Sequence, residues 1–288
     1  MASAGLLSAP LLSQGPFAKD KKIKLAIVGT GWWTNDFLLE PIQKSGAYDI
    51  IGLCDVDALA LHKTATKLVE AGEPQPKLFA DYQEMYGMKG LEAVVICTPP
   101  HWHALQFIHA CEKGLHVFLE KPVCWDIKEG QAMLAAKRKS GIVVQVDFPR
   151  IVADQNESVK SFIESGEAGK IHQIEAHIYY QEPVPVEKPI PDTFDYNTFC
   201  GPAPMQKYLC TEEGNVPRWR EMFPFSRGIM YDWGIHYLHN VRQVMGLAMP
   251  EAVSAIGGIT STYERSTPDH LDVHFDFGGL PVRWTHKT

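Results

Sequence analysis

The chain has 288 residues, 45% of them hydrophobic, enough to bury two cores and with no disorder signature. Its net charge of −7, with Lys and Arg scattered rather than clustered, gives no footprint for a phosphate backbone and argues against a nucleic-acid partner. No run reaches the roughly 18 apolar residues of a membrane span, and the six cysteines form no CxxC pair.

Residues 1–20 begin with small and apolar side chains and lead into a charged KDKK run at 19–22. They read as a leader, the apolar and small-residue parts of an export signal without its positive region. A twin-arginine segment upstream would fit, since that route exports proteins folded with their cofactor, and would make the protein periplasmic. Otherwise the stretch is the solvated N-terminus of a cytoplasmic protein.

From Ile23 short β-branched runs alternate with helical stretches, the form of a parallel sheet covered on both faces. Strands are predicted at 23–29, 48–55, 76–80, 93–99, 116–122 and 142–146, with helices at about 33–44, 58–71, 101–113 and 128–139. They make two mononucleotide-binding halves, a Rossmann doubly wound domain over 21–147. After Asp147 the composition turns aromatic and Pro-rich, so a second domain is placed at 148–288. It is read as a helix at 158–165, a strand at 170–180, a Pro-rich loop at 182–203, a helix at 232–245, and strands near 252–262, 270–277 and 281–286. In the strand 170–180, Ile174, Ala176 and Ile178 share one face, and Gln173, Glu175 and His177 the other. Because the pattern stops inside a strand, the chain reads as C-terminally incomplete. Cys200 and Cys210 lie in a loop-rich stretch, where a disulfide and a reduced pair are both open.

Gly29-Thr30-Gly31 joins the first strand to its helix, where glycines let the backbone approach a pyrophosphate and the helix N-terminus attracts its charge. Thr34 takes the last place of the GxGxxG pattern. Asp55 ends the second strand, 21 residues beyond Thr34, where a carboxylate hydrogen-bonds a ribose 2'-hydroxyl and repels a 2'-phosphate. NAD is therefore favoured over NADP. Thr98-Pro99, with His101 and His103 following, and Glu120-Lys121-Pro122 end the fourth and fifth strands, at the edge where open sheets place ligands. Trp32 and Trp33 adjoin the glycine turn. Asp232 and His236 are spaced i, i+4, on one face of a helix, where an acid holds a tautomer and raises basicity.

In these motifs the chain resembles the glucose-fructose oxidoreductase, inositol dehydrogenase and rhizopine-catabolism family, written Gfo/Idh/MocA. The resemblance covers roughly Ile23 to Gly246. It rests on Gly29-Thr30-Gly31, Thr98-Pro99 with His103, Glu120-Lys121-Pro122 and Asp232-Trp233-Gly234-Ile235-His236, in that order. It implies a Rossmann domain followed by an α/β domain with a mostly antiparallel, open-faced sheet that often packs on another subunit. It also implies that Lys121 and His236 serve the reaction and that Asp232 supports His236. The cofactor contacts are then Gly29, Thr30, Gly31, Trp32, Trp33, Asp55, Thr98, Pro99, His103, Glu120 and Lys121. Two departures stand out: His239 occupies a place where the family often has an acid, and the family normally adds strands and a helix beyond Thr288.

Hydride transfer from a secondary alcohol needs a base for the hydroxyl proton. His236 suits that near neutral pH, whereas Lys121 would need a pKa well below ~10.4 and is better placed as a donor to the reacting oxygen. Pairs such as His101 with His103 and His236 with His239 do not complete a metal set, and no metal is expected. Trp125 is read as packing; Arg150 and Tyr179 are weaker candidates for substrate hydroxyls. The expected activity is NAD-dependent oxidation of a CH–OH group in a sugar, sugar derivative or inositol. One alternative is an NAD-dependent glycosidase working by transient oxidation and elimination, and another a cofactor-binding protein without turnover. The half-polar open sheet offers a face for a second subunit.

Overall fold

The computed structural model describes residues 21–179 and 183–288; the leader reading of 1–20 and the predicted strand end at Tyr180 lie outside the described residues. The chain divides into two compact units. One holds the described residues up to Asp147 together with Pro189–Gln206, and the other holds Phe148–Lys188 and Lys207–Thr288. The partition thus departs from the one read in the sequence at a single stretch, because 189–206 hydrogen-bonds to the loop after the second strand.

In the N-terminal unit six strands form one parallel sheet in the order β3-β2-β1-β4-β5-β6. These are β1 (Ile23–Val28), β2 (Tyr48–Cys54), β3 (Lys77–Phe79), β4 (Ala93–Ile96), β5 (His116–Glu120) and β6 (Val144–Asp147). That order is the doubly wound one, with the direction of winding reversing beside β1. β1 and β4 are buried almost throughout, as strands covered on both faces must be, which is why they read as unbroken apolar runs. Helices α1 (Leu39–Ser45), α2 (Ala58–Glu70), α3 (Tyr82–Tyr86), α4 (His103–Glu112) and α5 (Ile127–Ser140) cover the sheet. Asp57 caps α2 by accepting from Leu59 N at 2.9 Å, and Leu61, Thr64, Ala65 and Leu68 place its buried stripe at helical spacing.

The second unit contains α6 (Gln155–Glu164), β7 (Ile174–Tyr179), the short pair β8 (Val186–Glu187) and β9 (Leu209–Cys210), α8 (Ile235–Met245), β10 (Ala252–Gly258), β11 (His270–Asp276) and β12 (Pro281–Lys287). Between β8 and β9 the stretch read as loop carries a further helix, α7 (Tyr196–Cys200), which belongs to the N-terminal unit. The larger sheet has the order β10-β11-β12-β7, antiparallel except for the parallel pair of β12 with β7. One face packs around Ala176, Ile229, Val273 and Trp284, with Trp233 and Tyr237 against them. The other face is open, and β10 is exposed along nearly its whole length. All six cysteines, Cys200 and Cys210 included, are thiols, and among the described residues no helix is long and apolar enough to cross a membrane.

A carboxylate anchors the turn between β10 and β11. Asp269, 2% exposed, accepts from Thr260 N at 2.8 Å, Ser261 N at 2.6 Å, the Ser261 hydroxyl and His270 Nδ1 at 2.9 Å. Burial would raise its pKa, but these bonds together hold it well below the carboxylate range. A depressed folded pKa stabilises above the unfolded value of about 3.9 and is lost as pH falls below it. Asp269→Asn is therefore expected to cost about 1–3 kcal/mol at neutral pH, with the difference from wild type shrinking in urea titrations at about pH 3. A variant of wild-type stability at pH 7 would contradict this.

Candidate functional site

The turn between β1 and its helix is built for close approach at one residue and tight packing at another. Gly29 has φ +89, and a Cβ there would lie 2.5 Å from the Cys97 carbonyl oxygen at the end of β4. Gly31 is exposed, with nothing within 4 Å of a Cβ position, which leaves the open backbone a pyrophosphate requires. Between them Thr30 is 1% exposed. Asn35 Nδ2 donates to the Thr30 and Gly31 carbonyls at 2.8 and 2.9 Å, and the Thr34 hydroxyl donates to Gly29 O at 2.6 Å. The helix then runs from Trp32 to Ser45 with π-type turns at Thr34–Leu38, a local widening that apolar periodicity does not announce.

Asp55 lies where the sequence puts it, but much of its carboxylate is already engaged. Oδ2 accepts from Thr30 N at 2.6 Å and from the Thr30 hydroxyl at 3.0 Å, while Oδ1 accepts from Asp57 N at 2.9 Å. A carboxylate has about four acceptor directions, so Oδ1 retains one for a ribose hydroxyl. Burial raises its pKa against the pull of these three bonds.

The ends of β4 and β5 are clamped together by His103. Fully buried, it sets Nε2 2.7 Å from the Thr98 carbonyl and Nδ1 2.8 Å from the Pro122 carbonyl. Burial, aided by the Lys121 charge, lowers its pKa to about 4 against the pull of the carbonyl bonds. The neutral ring carries one N–H, so it donates to one of these two carbonyls and packs against the other, which holds the end of β4 beside the end of β5. The Thr98 hydroxyl donates to Gln106 Oε1 at 2.7 Å, and Pro99 leads into a 3-10 turn at Pro100–Trp102.

Glu120 ends β5 opposite Asp147, which ends β6. It accepts from the Trp33 indole N–H and is 6% exposed. Trp33 stacks on Phe37 at 4.3 Å between ring centroids, and Trp32 is 52% exposed. Burial, and then the hydrogen-bonded Asp147 carboxylate, push the Glu120 carboxyl well above the usual range, so Glu120 keeps its proton near neutrality. An acid that gains a proton on folding contributes stability that is complete below its unfolded pKa of about 4.3 and is lost as pH rises. Glu120→Gln keeps the shape and removes the titration, so its Tm, measured without added cofactor, is expected to exceed wild type at about pH 8 and to fall less between about pH 5 and 8. Parallel Tm curves for the two proteins would contradict a protonated Glu120. Lys121, half-buried, follows Glu120 directly.

In the second unit, Asp232 and His236 are 3% and 6% exposed and lie on consecutive turns, with Asp232 in a π-type turn at Met230–Gly234 and His236 in α8. Asp232 Oδ2 accepts from Arg220 Nε at 2.7 Å, and the Arg220 guanidinium stacks 4.1 Å from the Trp219 ring centroid. Edges of Phe148 and Trp233 frame His236 at 6.4 and 6.1 Å between centroids. His239 stacks on Phe148 at 4.6 Å, and burial lowers its pKa. Arg150 lies over Tyr237 at 5.0 Å, and Tyr179 is 75% exposed. Arg220, Asp147 and Asn35 do not stand out in the sequence: each lies outside the motifs whose residues it bonds to. Among the described residues no group of three His, Cys, Asp or Glu is placed to hold a metal.

Residues 23–148 match the family model described as "Oxidoreductase family, NAD-binding Rossmann fold", and residues 156–285 match the "GFO/IDH/MocA C-terminal domain". The "Glycosyl hydrolase family 109 protein" of Stenotrophomonas maltophilia is 30% identical over 126 residues, 41% of this chain and 28% of that protein. Inositol 2-dehydrogenase of Salmonella typhimurium is 29% identical over 171 residues, 58% of this chain and 48% of the relative. These matches thus span between about a quarter and a half of the relatives' length. Among solved structures, the WlbA dehydrogenase from Bordetella pertussis in complex with NADH and UDP-GlcNAcA superposes with a TM-score of 0.70 at 20% identity, covering 93% of this chain and 67% of that one. An oxidoreductase from Thermotoga maritima gives 0.73 at 21% identity, covering 93% and 72%. Both share the fold.

Proposed function

The chain belongs to the Gfo/Idh/MocA oxidoreductase family, whose N-terminal half is an NAD-binding Rossmann fold, and from that premise we propose that it oxidises a CH–OH group of a sugar, sugar derivative or inositol with NAD. The observation that carries the reading is the turn at Gly29–Gly31, with its open backbone at Gly31 and Asp55 beside it. The residues present fit the dinucleotide: Gly31 supplies room for the pyrophosphate, and Asp55 Oδ1 an acceptor for a ribose hydroxyl and a charge that disfavours NADP. A dinucleotide held there would supply a nicotinamide as acceptor for the hydride of the substrate carbon. The chain's own work is to bind, orient and deprotonate. His236 takes the hydroxyl proton on an imidazole nitrogen. Asp232, fixed by Arg220, holds the helical turn that carries it. Lys121 hydrogen-bonds the reacting oxygen from the end of β5, and Glu120 and His103 fix the backbone on either side of it.

The polyol class draws support from the inositol dehydrogenase relative and the sugar-nucleotide complex of the WlbA structure. A second reading is favoured by the family 109 relative: oxidation acidifies a neighbouring C–H, the glycosidic bond breaks by elimination and the aglycone leaves as its alcohol, water adds to the resulting unsaturated ketone, and the hydride is returned, so that NAD is only catalytic. The exposed face of the second sheet supports pairing with another subunit. A panel of inositols, sugars, sugar nucleotides and aryl glycosides, followed by absorbance at 340 nm and by released aglycone, separates the readings. Stoichiometric NADH marks the dehydrogenase, and aglycone release without NADH the glycosidase. Neither product across the panel, with NAD bound, would favour a binding protein without turnover.

A further inference from the structure

The stretch 189–206 leaves the second half of the sequence and joins the N-terminal unit, and its anchors define what it does there. Asp195 N donates to Val56 O at 2.9 Å, and Ala58 N donates to Thr193 O at 2.8 Å. Phe194 thereby forms an antiparallel bridge with Asp57, two residues beyond Asp55. Asp195 then caps α7, accepting from Thr198 N at 2.9 Å. At the other end of α7, the Phe199 carbonyl oxygen lies 2.9 Å from His101 Nε2 and accepts from Trp102 Nε1 at 3.0 Å. Gly201 follows with φ +52, so close to Trp102 that a Cβ would overlap the indole. Tyr196, Phe199 and Cys200 are buried beneath. The stretch is therefore a built strap rather than a passing loop.

Its two anchorages lie on the segments that follow β2 and β4. In the sheet order β3-β2-β1-β4 these flank β1 and its glycine turn. Dinucleotides lie across that carboxyl edge, with adenosine on the β2 side where the ribose meets the acid. We propose that the strap 189–206 forms a wall of the adenosine half of the cofactor site, so that the dinucleotide site is completed by a stretch from beyond the Rossmann sequence. The inference rests on the NAD reading above. Physically, a strap held at both ends opens locally in the absence of ligand, and a ligand that binds only the closed form lowers the open population by a factor of about 1 + [L]/Kd.

The test is hydrogen exchange by mass spectrometry on the full chain, with AMP, ADP-ribose, nicotinamide mononucleotide and NAD as separate probes. Saturating AMP or ADP-ribose is expected to slow exchange in 189–206 by at least about tenfold, well beyond any change in α5, whereas nicotinamide mononucleotide leaves the strap unchanged. Gly201→Ala, which drives the strap off Trp102, is expected to weaken ADP-ribose about five- to tenfold. Trp102→Phe removes the indole N–H and part of the ring's bulk while keeping an aromatic side chain, and serves as the milder variant should the first fold poorly; it is expected to weaken ADP-ribose by a smaller factor. If ADP-ribose raises the melting temperature while strap exchange and both variants' affinities stay at wild-type values, the wall is overturned and the NAD reading stands. If neither NAD nor ADP-ribose raises the melting temperature, both fall together.

Discussion

Replacing His236 by Asn is expected to lower kcat by roughly 10²–10⁴-fold, the range supplied by a positioned general base, with NAD affinity changed less than about twofold. The reason lies in the separation of roles. His236 sits in α8, in the unit that does not contain the glycine turn, so on the proposed mechanism its removal takes away the proton acceptor and leaves the glycine turn and Asp55 as they are. Asn keeps the polarity of the pocket formed by Phe148 and Trp233, which limits repacking. Residual activity of His236→Asn should lose the acidic limb of the wild-type kcat profile, because that limb reports protonation of the base. Lys121→Met tests the other half of the chemistry: it removes the donor to the reacting oxygen while keeping an unbranched apolar stem, and a comparable fall in kcat is expected. Wild-type turnover in His236→Asn would remove it as the base and shift the search to Lys121.

Gly29→Ala is expected to abolish measurable NAD binding and to lower Tm by roughly 5–15 °C. Two costs add at this position. At φ +89 an L-residue is strained by about 1–2 kcal/mol, and the new methyl meets the Cys97 carbonyl at 2.5 Å, an overlap that costs a further ~1–3 kcal/mol as β1 and β4 separate. That separation shifts Thr30, whose peptide N–H holds Asp55, so the stability loss and the affinity loss share one cause. Differential scanning calorimetry with and without NAD reads both. A variant that melts with wild type and binds NAD normally would show that the turn is not packed as described.

The Rossmann half was legible because the determinants of parallel sheets are local: strands buried on both faces appear as apolar runs, and caps such as Asp57 and Gly141 punctuate their helices. The ordered motifs carried the family with them. What escaped was either short or non-local. Five-residue α3 offers barely more than one turn of periodicity, and α7 lay in a Pro-rich stretch whose role depends on partners about 100 residues away at His101 and Trp102. The parallel pairing of β12 with β7 joins strands about 100 residues apart. Among site residues, Lys121, Asp232 and His236 could be put forward as candidates from motif and spacing. Arg220 could not, since it lies 12 residues before Asp232 in irregular chain. Motif order placed His103 with the cofactor contacts; its burial against the Thr98 and Pro122 carbonyls could not be read from the motif.

The most direct measurement is of the cofactor itself: purify the chain, denature it, identify any released nicotinamide dinucleotide by mass spectrometry, and record Tm with added NAD and NADP. Released NAD(H), or a rise in Tm with NAD larger than with NADP, is the expected result, given Asp55 at the end of β2. A clean apo-protein whose Tm responds to neither dinucleotide would contradict the NAD-dependent reading.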